Sequence, residues 1–176
     1  MYSLFYRPFK VFLCLIVFLN FVCCQNSKNN INTICNKTYC EKGILAGDKK
    51  EGIWKRYDNE NNLIRIAKYK NDILHGAATS YYKDGQLYSV GNYRKGKFHG
   101  NVSVFYENGN LNFSDNYLKG EKDGYSYLFD REGWLKSKWF YIRGHKNGEQ
   151  YFFNKSGDTI KTEIYKRGKL VDSIIR

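Results

Sequence analysis

The chain has 176 residues, 42% hydrophobic and 18% aromatic, with a single Pro, and its 29 Lys and Arg against 17 Asp and Glu leave a formal net charge of +12. That composition excludes a largely disordered chain, which lacks the apolar surface needed to offset the entropy of ordering. Sixteen Tyr, twelve Phe and sixteen Gly, in a sequence poor in Ala and Leu, point to strands rather than helices, and the length predicts one domain.

The first element is an export segment. Arg7 and Lys10 precede an apolar run from Val11 to Leu19, Asn20 interrupts it, and Phe21-Val22-Cys23-Cys24 follows before a polar stretch. Basic, then apolar, then small is the order of a signal peptide, expected over residues 1–23. The run is too short and too broken for a span of hydrocarbon, which takes about 20 apolar residues. Phe21, Cys23 and Cys24 resemble the lipobox of bacterial lipoproteins, which implies a lipid on Cys24. Cys23 stands where Gly, Ala or Ser is usual, so acylation of Cys23 and ordinary cleavage nearby both stay open. The expected location is the cell envelope, as a membrane-anchored lipoprotein facing the periplasm or the exterior, with secretion as the alternative.

Residues 24–43 read as a polar linker holding Cys35 and Cys40. Outside the cytoplasm these form a candidate local disulfide, with two free thiols as the alternative. Zinc needs about four ligands, and the residues between the cysteines offer none.

From residue 44 to 176 the sequence repeats. Gly52, Gly76, Gly100, Gly124 and Gly148 stand 24 residues apart and open units at 52–75, 76–99, 100–123, 124–147 and 148–171. Five residues after each Gly is an aromatic (Tyr57, Tyr81, Phe105, Phe129, Phe153), and seventeen after is a Tyr (Tyr69, Tyr93, Tyr117, Tyr141, Tyr165). Eleven after stands Leu63, Leu87, Leu111 or Leu135, with Thr159 as the exception. Each unit therefore predicts two strands and two turns, with positions 5, 11 and 17 on one face of a pleated pair. Asp84-Gly85 and Asn108-Gly109 are hairpin signals. No unit differs enough to supply a covering layer, so the expected fold is all-β, an elongated single-layer antiparallel meander of hairpin repeats. Closure of the same strands into a barrel is the alternative.

The run His75-Gly76-Ala-Ala-Thr-Ser-Tyr81-Tyr82-Lys-Asp84-Gly85-Gln-Leu87, followed by Tyr93-Arg-Lys-Gly96-Lys-Phe98-His99-Gly100, resembles the MORN-repeat variant of bacterial proteins, many of them labelled YwqK-type antitoxin components. The resemblance covers about residues 52 to 171. It implies a hairpin-repeat sheet that binds proteins or membranes, and it raises the alternative of an antitoxin or immunity component.

Catalytic chemistry leaves little trace. His75 and His99 precede lead glycines as turn residues, and two imidazoles without a fixed carboxylate or thiol make no metal site. No in-register carboxylate pair, phosphate loop or nucleophile motif occurs. The expectation is a protein that is not an enzyme, with no cofactor, no metal and no small-molecule substrate. Trp134, Trp139 and Phe140 are candidate interface aromatics, local core being the other reading. Nucleic acid is not expected for an exported chain.

Charge sorts by repeat position. Positions 18 to 22 carry eleven cations and two carboxylates, a net +9, whereas positions 6 to 10 carry three cations and seven carboxylates, a net −4. In a meander, turns of one kind share a rim, so Arg94, Lys95, Lys97, Arg143, Lys166, Arg167 and Lys169 become candidate contacts for an acidic protein partner or a lipid surface. Turns that collect charge only for solubility are the competing reading.

Overall fold

The computed structural model describes residues 22–26, as backbone alone, and 31–176. Residues 1–21 of the export segment and the Cys24 side chain fall outside the described residues. Three strands precede the repeats: β1 (Val22–Asn26), β2 (Ile31–Cys35) and β3 (Tyr39–Ala46). Four units then supply β4 (Lys49–Asp58) with β5 (Leu63–Lys70), β6 (Ile73–Tyr81) with β7 (Leu87–Arg94), β8 (Lys97–Phe105) with β9 (Leu111–Leu118), and β10 (Glu121–Phe129) with β11 (Leu135–Ile142). In the last, the first strand is split into β12 (His145–Lys146) and β13 (Gly148–Phe153), before β14 (Thr159–Lys166) and β15 (Lys169–Ile175). Every strand pairs antiparallel with its neighbour in the chain, β12 and β13 both lying against β11. No ladder joins β1 to β15. The sheet is an open meander and not a barrel.

The repeat landmarks are cross-strand partners. Each lead glycine faces the tyrosine seventeen residues on: Gly52 with Tyr69, Gly76 with Tyr93, Gly100 with Tyr117, Gly124 with Tyr141 and Gly148 with Tyr165. Likewise each aromatic at position 5 faces position 11, and the exception Thr159 still pairs with Phe153. Between these two partnerships the register slips by one residue in every unit, at Ser80/Tyr81 in the second and Val104/Phe105 in the third. A bulge places two residues opposite one and reverses the alternation of side chains. Position 17 therefore lies on the face opposite positions 5 and 11, and the expectation of one shared face fails there.

The tyrosine face carries the most buried file in the protein. Trp54, Ala67, Ala78, Gly91, Val102, Asp115, Ser126 and Trp139 are successive cross-strand neighbours. All but Trp139 are buried. With no second layer among the described residues, burial comes from larger side chains leaning over small ones from either side. At the split between β12 and β13, fully buried Gln150 fills the gap: its Oε1 accepts the Phe140 N–H at 2.9 Å, and its Nε2 donates to the carbonyls of Asn147 at 3.1 Å and Gly148 at 3.0 Å. Thus backbone groups left over by the break find partners.

The stretch expected as a polar linker folds as well, since β2 and most of β3 lie within residues 24–43. Cys35 and Cys40 are paired across the β2–β3 hairpin and disulfide-bonded, with Cα atoms 4.0 Å apart. Gly43 lies under the Trp54 ring, and a Cβ there would meet that ring at 2.4 Å. The segment joins the sheet because Trp54 needs this flat surface to be buried.

Two charged rims and a tyrosine face

On the basic rim, the hairpins turn in two residues. Lys95 and Gly96 have φ of 53° and 78°, and Lys119–Gly120, Arg143–Gly144 and Arg167–Gly168 repeat the pattern. Two successive left-handed residues are what a type I′ turn requires, and its twist matches that of the strands. The turns are also fastened to one another. Gly96 N–H donates to the Leu74 carbonyl at 2.9 Å, Gly120 to Phe98 at 2.9 Å, Gly144 to Lys122 at 2.8 Å and Gly168 to Lys146 at 2.9 Å. Side chains of this rim therefore stand on a fixed backbone.

Arg94, Lys95 and Lys97 line one hollow of about 470 Å³ together with His99, Leu118 and Lys119. Arg143 and Arg167 line a second, of about 530 Å³, with Ile142, His145 and Asn147. Lys166 and Lys169 flank the Arg167–Gly168 turn. None of the seven candidate cations forms an ion pair among the described residues.

The opposite rim is wired differently. Its hairpins are longer: Tyr82 N–H donates to the Gln86 carbonyl at 2.8 Å, and of Asp84-Gly85 only Gly85 has a positive φ. Here each cation meets an acid of the preceding turn, Lys83 with Glu60 at 2.7 Å, Arg131 with Glu107 at 3.5 Å, and Lys155 with Glu132. Tyr82 and Tyr106 donate their hydroxyls to the carbonyls of Phe105 at 2.7 Å and Phe129 at 3.0 Å, one unit on. The three cations of this rim are paired, whereas among the described residues the seven candidate cations of the other are not.

The candidate aromatics are not brought together. Trp139 lies on the tyrosine face, edge-on to Phe152 with centroids 6.4 Å apart, while Phe140 points to the other face against Tyr125 at 5.0 Å. Trp134 belongs to the acidic-rim turn, where its carbonyl accepts the Asp130 N–H at 2.8 Å. Strand alternation divides neighbours in sequence between the two faces. Among the described residues, no three His, Cys, Asp or Glu side chains gather around a common point.

Two polar clusters on the tyrosine face escaped the sequence reading. Glu41, buried, receives Lys50 and Arg56, the latter at 2.9 Å. Burial pushes its carboxyl up, but the hydrogen bonds and charges of Lys50 and Arg56 outweigh that and hold it below the usual carboxylate range. Asp115, also buried, accepts the Ser126 hydroxyl and pairs with Lys122 at 2.8 Å. Burial, reinforced by the Asp115 charge and hydrogen bond, pushes the Tyr117 hydroxyl up to about 12. A carboxylate at the position held by Ala67 and Gly91 in earlier units was the available signal for Asp115. Glu41 precedes the first lead glycine, so the period gave none.

Open hairpins of this kind define a class, the β-repeat scaffold with two edges and two accessible faces. Three consecutive segments, residues 50–71, 74–95 and 98–119, match the family described as the MORN repeat variant. No curated protein matches the chain. Among solved structures, TarM is similar over 66% of this chain and 20% of its own, at 14% identity and a TM-score of 0.31. A point mutant of S. aureus TarM in complex with fondaparinux, alpha-GlcNAc-glycerol and UDP is similar over 70% of this chain and 21% of its own, at 13% identity and the same TM-score. The chain spans about a fifth of those structures.

Proposed function

We propose that the protein is a non-enzymatic, exported and lipid-anchored scaffold that holds an anionic surface against its basic rim. The observation that carries this reading is the asymmetry of the rims: Lys83, Arg131 and Lys155 are spent on neighbouring acids, whereas the side chains of Arg94, Lys95, Lys97, Arg143 and Arg167 form no ion pair among the described residues and line open hollows. Unpaired cations on a straight edge attract lipid headgroups or an acidic partner at close range, and salt weakens the attraction. Order in the sequence supports the anchor, because Phe21-Val22-Cys23-Cys24 ends a short apolar run. A basic rim beside a lipid anchor adds electrostatic attraction to anionic headgroups.

The test combines both attachments. Changing Arg94, Lys95 and Lys97 together to Ser should weaken binding to vesicles containing anionic lipid at least tenfold at low salt, with a smaller effect at high salt. Changing Lys83 and Lys155 should not. Equal losses from the two rims would sink the proposal. Mass spectrometry of the mature N-terminus should find a lipid-modified Cys24, and recovery of an intact Met1 would reject the anchor.

The second reading, an antitoxin or immunity component, rests on the resemblance of the repeats to YwqK-type sequences alone. It requires that a toxin be encoded in the neighbouring reading frame and co-purify in a one-to-one complex.

A further inference from the structure

The tyrosine face is hollowed along its middle. Ala78, Gly91 and Val102 form a floor of small side chains, each the cross-strand neighbour of the next. One wall is a chain of rings, Tyr93 to Phe98 at 4.5 Å and Phe98 to Tyr117 at 5.1 Å. Val104 and Phe113, paired across β8 and β9, make the other. The hollow between them measures about 280 Å³ and adjoins a second of about 330 Å³, the two sharing Phe113 and Tyr117.

At its head stands Arg65. It lies directly opposite Arg56 on β4 and opposite Ser80 on β6. Like charges facing one another across a ladder are unfavourable unless neutralised. Glu41 neutralises Arg56, and Lys50 shares that same carboxylate. Nothing neutralises Arg65: among the described residues it has no ion pair, its Nε–H is buried without an acceptor, and its guanidinium lies 6.0 Å from the Tyr93 ring. A buried donor without a partner is costly to leave so.

We propose that this hollow binds a single-chain acyl carboxylate, the carboxylate on Arg65 and the hydrocarbon along the floor of Ala78, Gly91 and Val102. Charge selects the head, since one carboxylate neutralises Arg65, the member of the facing pair that Glu41 does not reach. Floor chemistry selects the body. A sugar laid there would give up water without gaining partners for its hydroxyls. A peptide would do no better, because the N–H and C=O groups of interior strands are already committed to the ladders on both sides. Four strand spacings from β5 to β9 come to about 19 Å, long enough for roughly a dozen carbons in extended form.

The experiment uses the full chain and isothermal titration with laurate below its micelle concentration. One laurate per chain should bind, raising the melting temperature. Arg65→Gln should weaken it at least tenfold while leaving the melting temperature of the free protein unchanged or higher, because a facing pair of like charges is removed. Gly91→Leu should abolish binding by filling the floor, where even a Cβ would stand 3.1 Å from Val102. In case that variant does not fold, Ser80→Phe obstructs the hollow beside Arg65. Dodecyltrimethylammonium should not bind. Cation binding as tight as laurate, indifference to Arg65→Gln, or a uronic acid oligosaccharide binding more tightly than laurate would each overturn the proposal. Changing Arg94, Lys95 and Lys97 should leave laurate binding intact, so this test and that of the basic rim fail separately.

Discussion

Trp54 is the residue on which the first repeat closes, and Trp54→Ala should be the most damaging single truncation in the sheet. Its side chain is 2% exposed, its Nε1 donates to the Ile44 carbonyl at 3.1 Å, and its ring covers Gly43 on one strand while facing Ala67 on the other. A buried indole hides about 200 Å², which at about 25 cal/mol per Å² amounts to about 5 kcal/mol of transfer free energy. The freed Ile44 carbonyl adds about 1 kcal/mol. Relaxation normally returns part of such a loss. Here Gly43 and Ala67 have no side chain able to collapse into the space, so the upper end of the range for aromatic truncations, about 5 kcal/mol, applies. For a chain of this size each kcal/mol is about 2–4 °C, so the melting temperature should drop by roughly 10–20 °C in circular dichroism at 218 nm. Phe105, only half-buried, should cost about half as much when cut to Ala. A loss below about 2 kcal/mol for Trp54→Ala, or equal losses for the two, would refute the argument that the small-residue file is the core.

Glycine substitutions separate strain from collision. Gly100→Ala meets nothing within 4 Å, but its φ of 81° should cost about 1–2 kcal/mol, whereas Gly43→Ala drives a Cβ into the Trp54 ring and should cost more, both measured by urea denaturation. Acid should destabilise through Glu41: its carboxyl is held below its unfolded value, so it contributes stability above the ordinary carboxylate range that is lost as pH falls through the depressed one. Glu41→Gln should flatten that limb of a plot of melting temperature against pH. Alkali acts through Tyr117, raised to about 12, whose contribution is present below pH ~10 and lost as pH rises towards 12; absorbance at 295 nm should show this tyrosine ionising after the exposed ones, and Tyr117→Phe should diminish the late step, to which Tyr141, also pushed up by burial, contributes. The Cys35–Cys40 bond closes only a short loop, so its reduction should cost about 2 kcal/mol by the chain-entropy estimate, read as a shift of several degrees in dithiothreitol.

Much of the architecture was legible because the 24-residue period is a record of pairing. Gly76 and Tyr93 recur together because they face one another across the ladder, and the glycine holds a φ of 105° that other residues rarely adopt. The rims were legible for the same reason, since position in the period fixes which edge a turn joins. Faces were not. A bulge has no residue signature in Leu87-Tyr88-Ser89, yet it reverses every side chain beyond it, moving Tyr93 away from Tyr81. Residues 31–43 were read as linker because their partners lie in the first unit: nothing in Gly43 announces that Trp54 will cover it. Arg65 was passed over for a similar reason, its isolation depending on Glu41 being taken by Arg56 and Lys50.

The bulge in each hairpin also governs how such a chain can change length. Removing one residue from a strand would send the floor of Ala78, Gly91 and Val102 to the wrong side, and removing a single hairpin arm would leave a turn of one rim stranded on the other. Loss or gain of a whole 24-residue unit does neither. Gly96 N–H bonds to Leu74 as Gly120 bonds to Phe98, so the ends left by an excised unit already fit one another. Duplication and deletion in whole units are the mutations this lineage can absorb, and the length of the ribbon, with the number of basic turns along it, is free to drift in steps of one repeat while each hairpin stays unaltered.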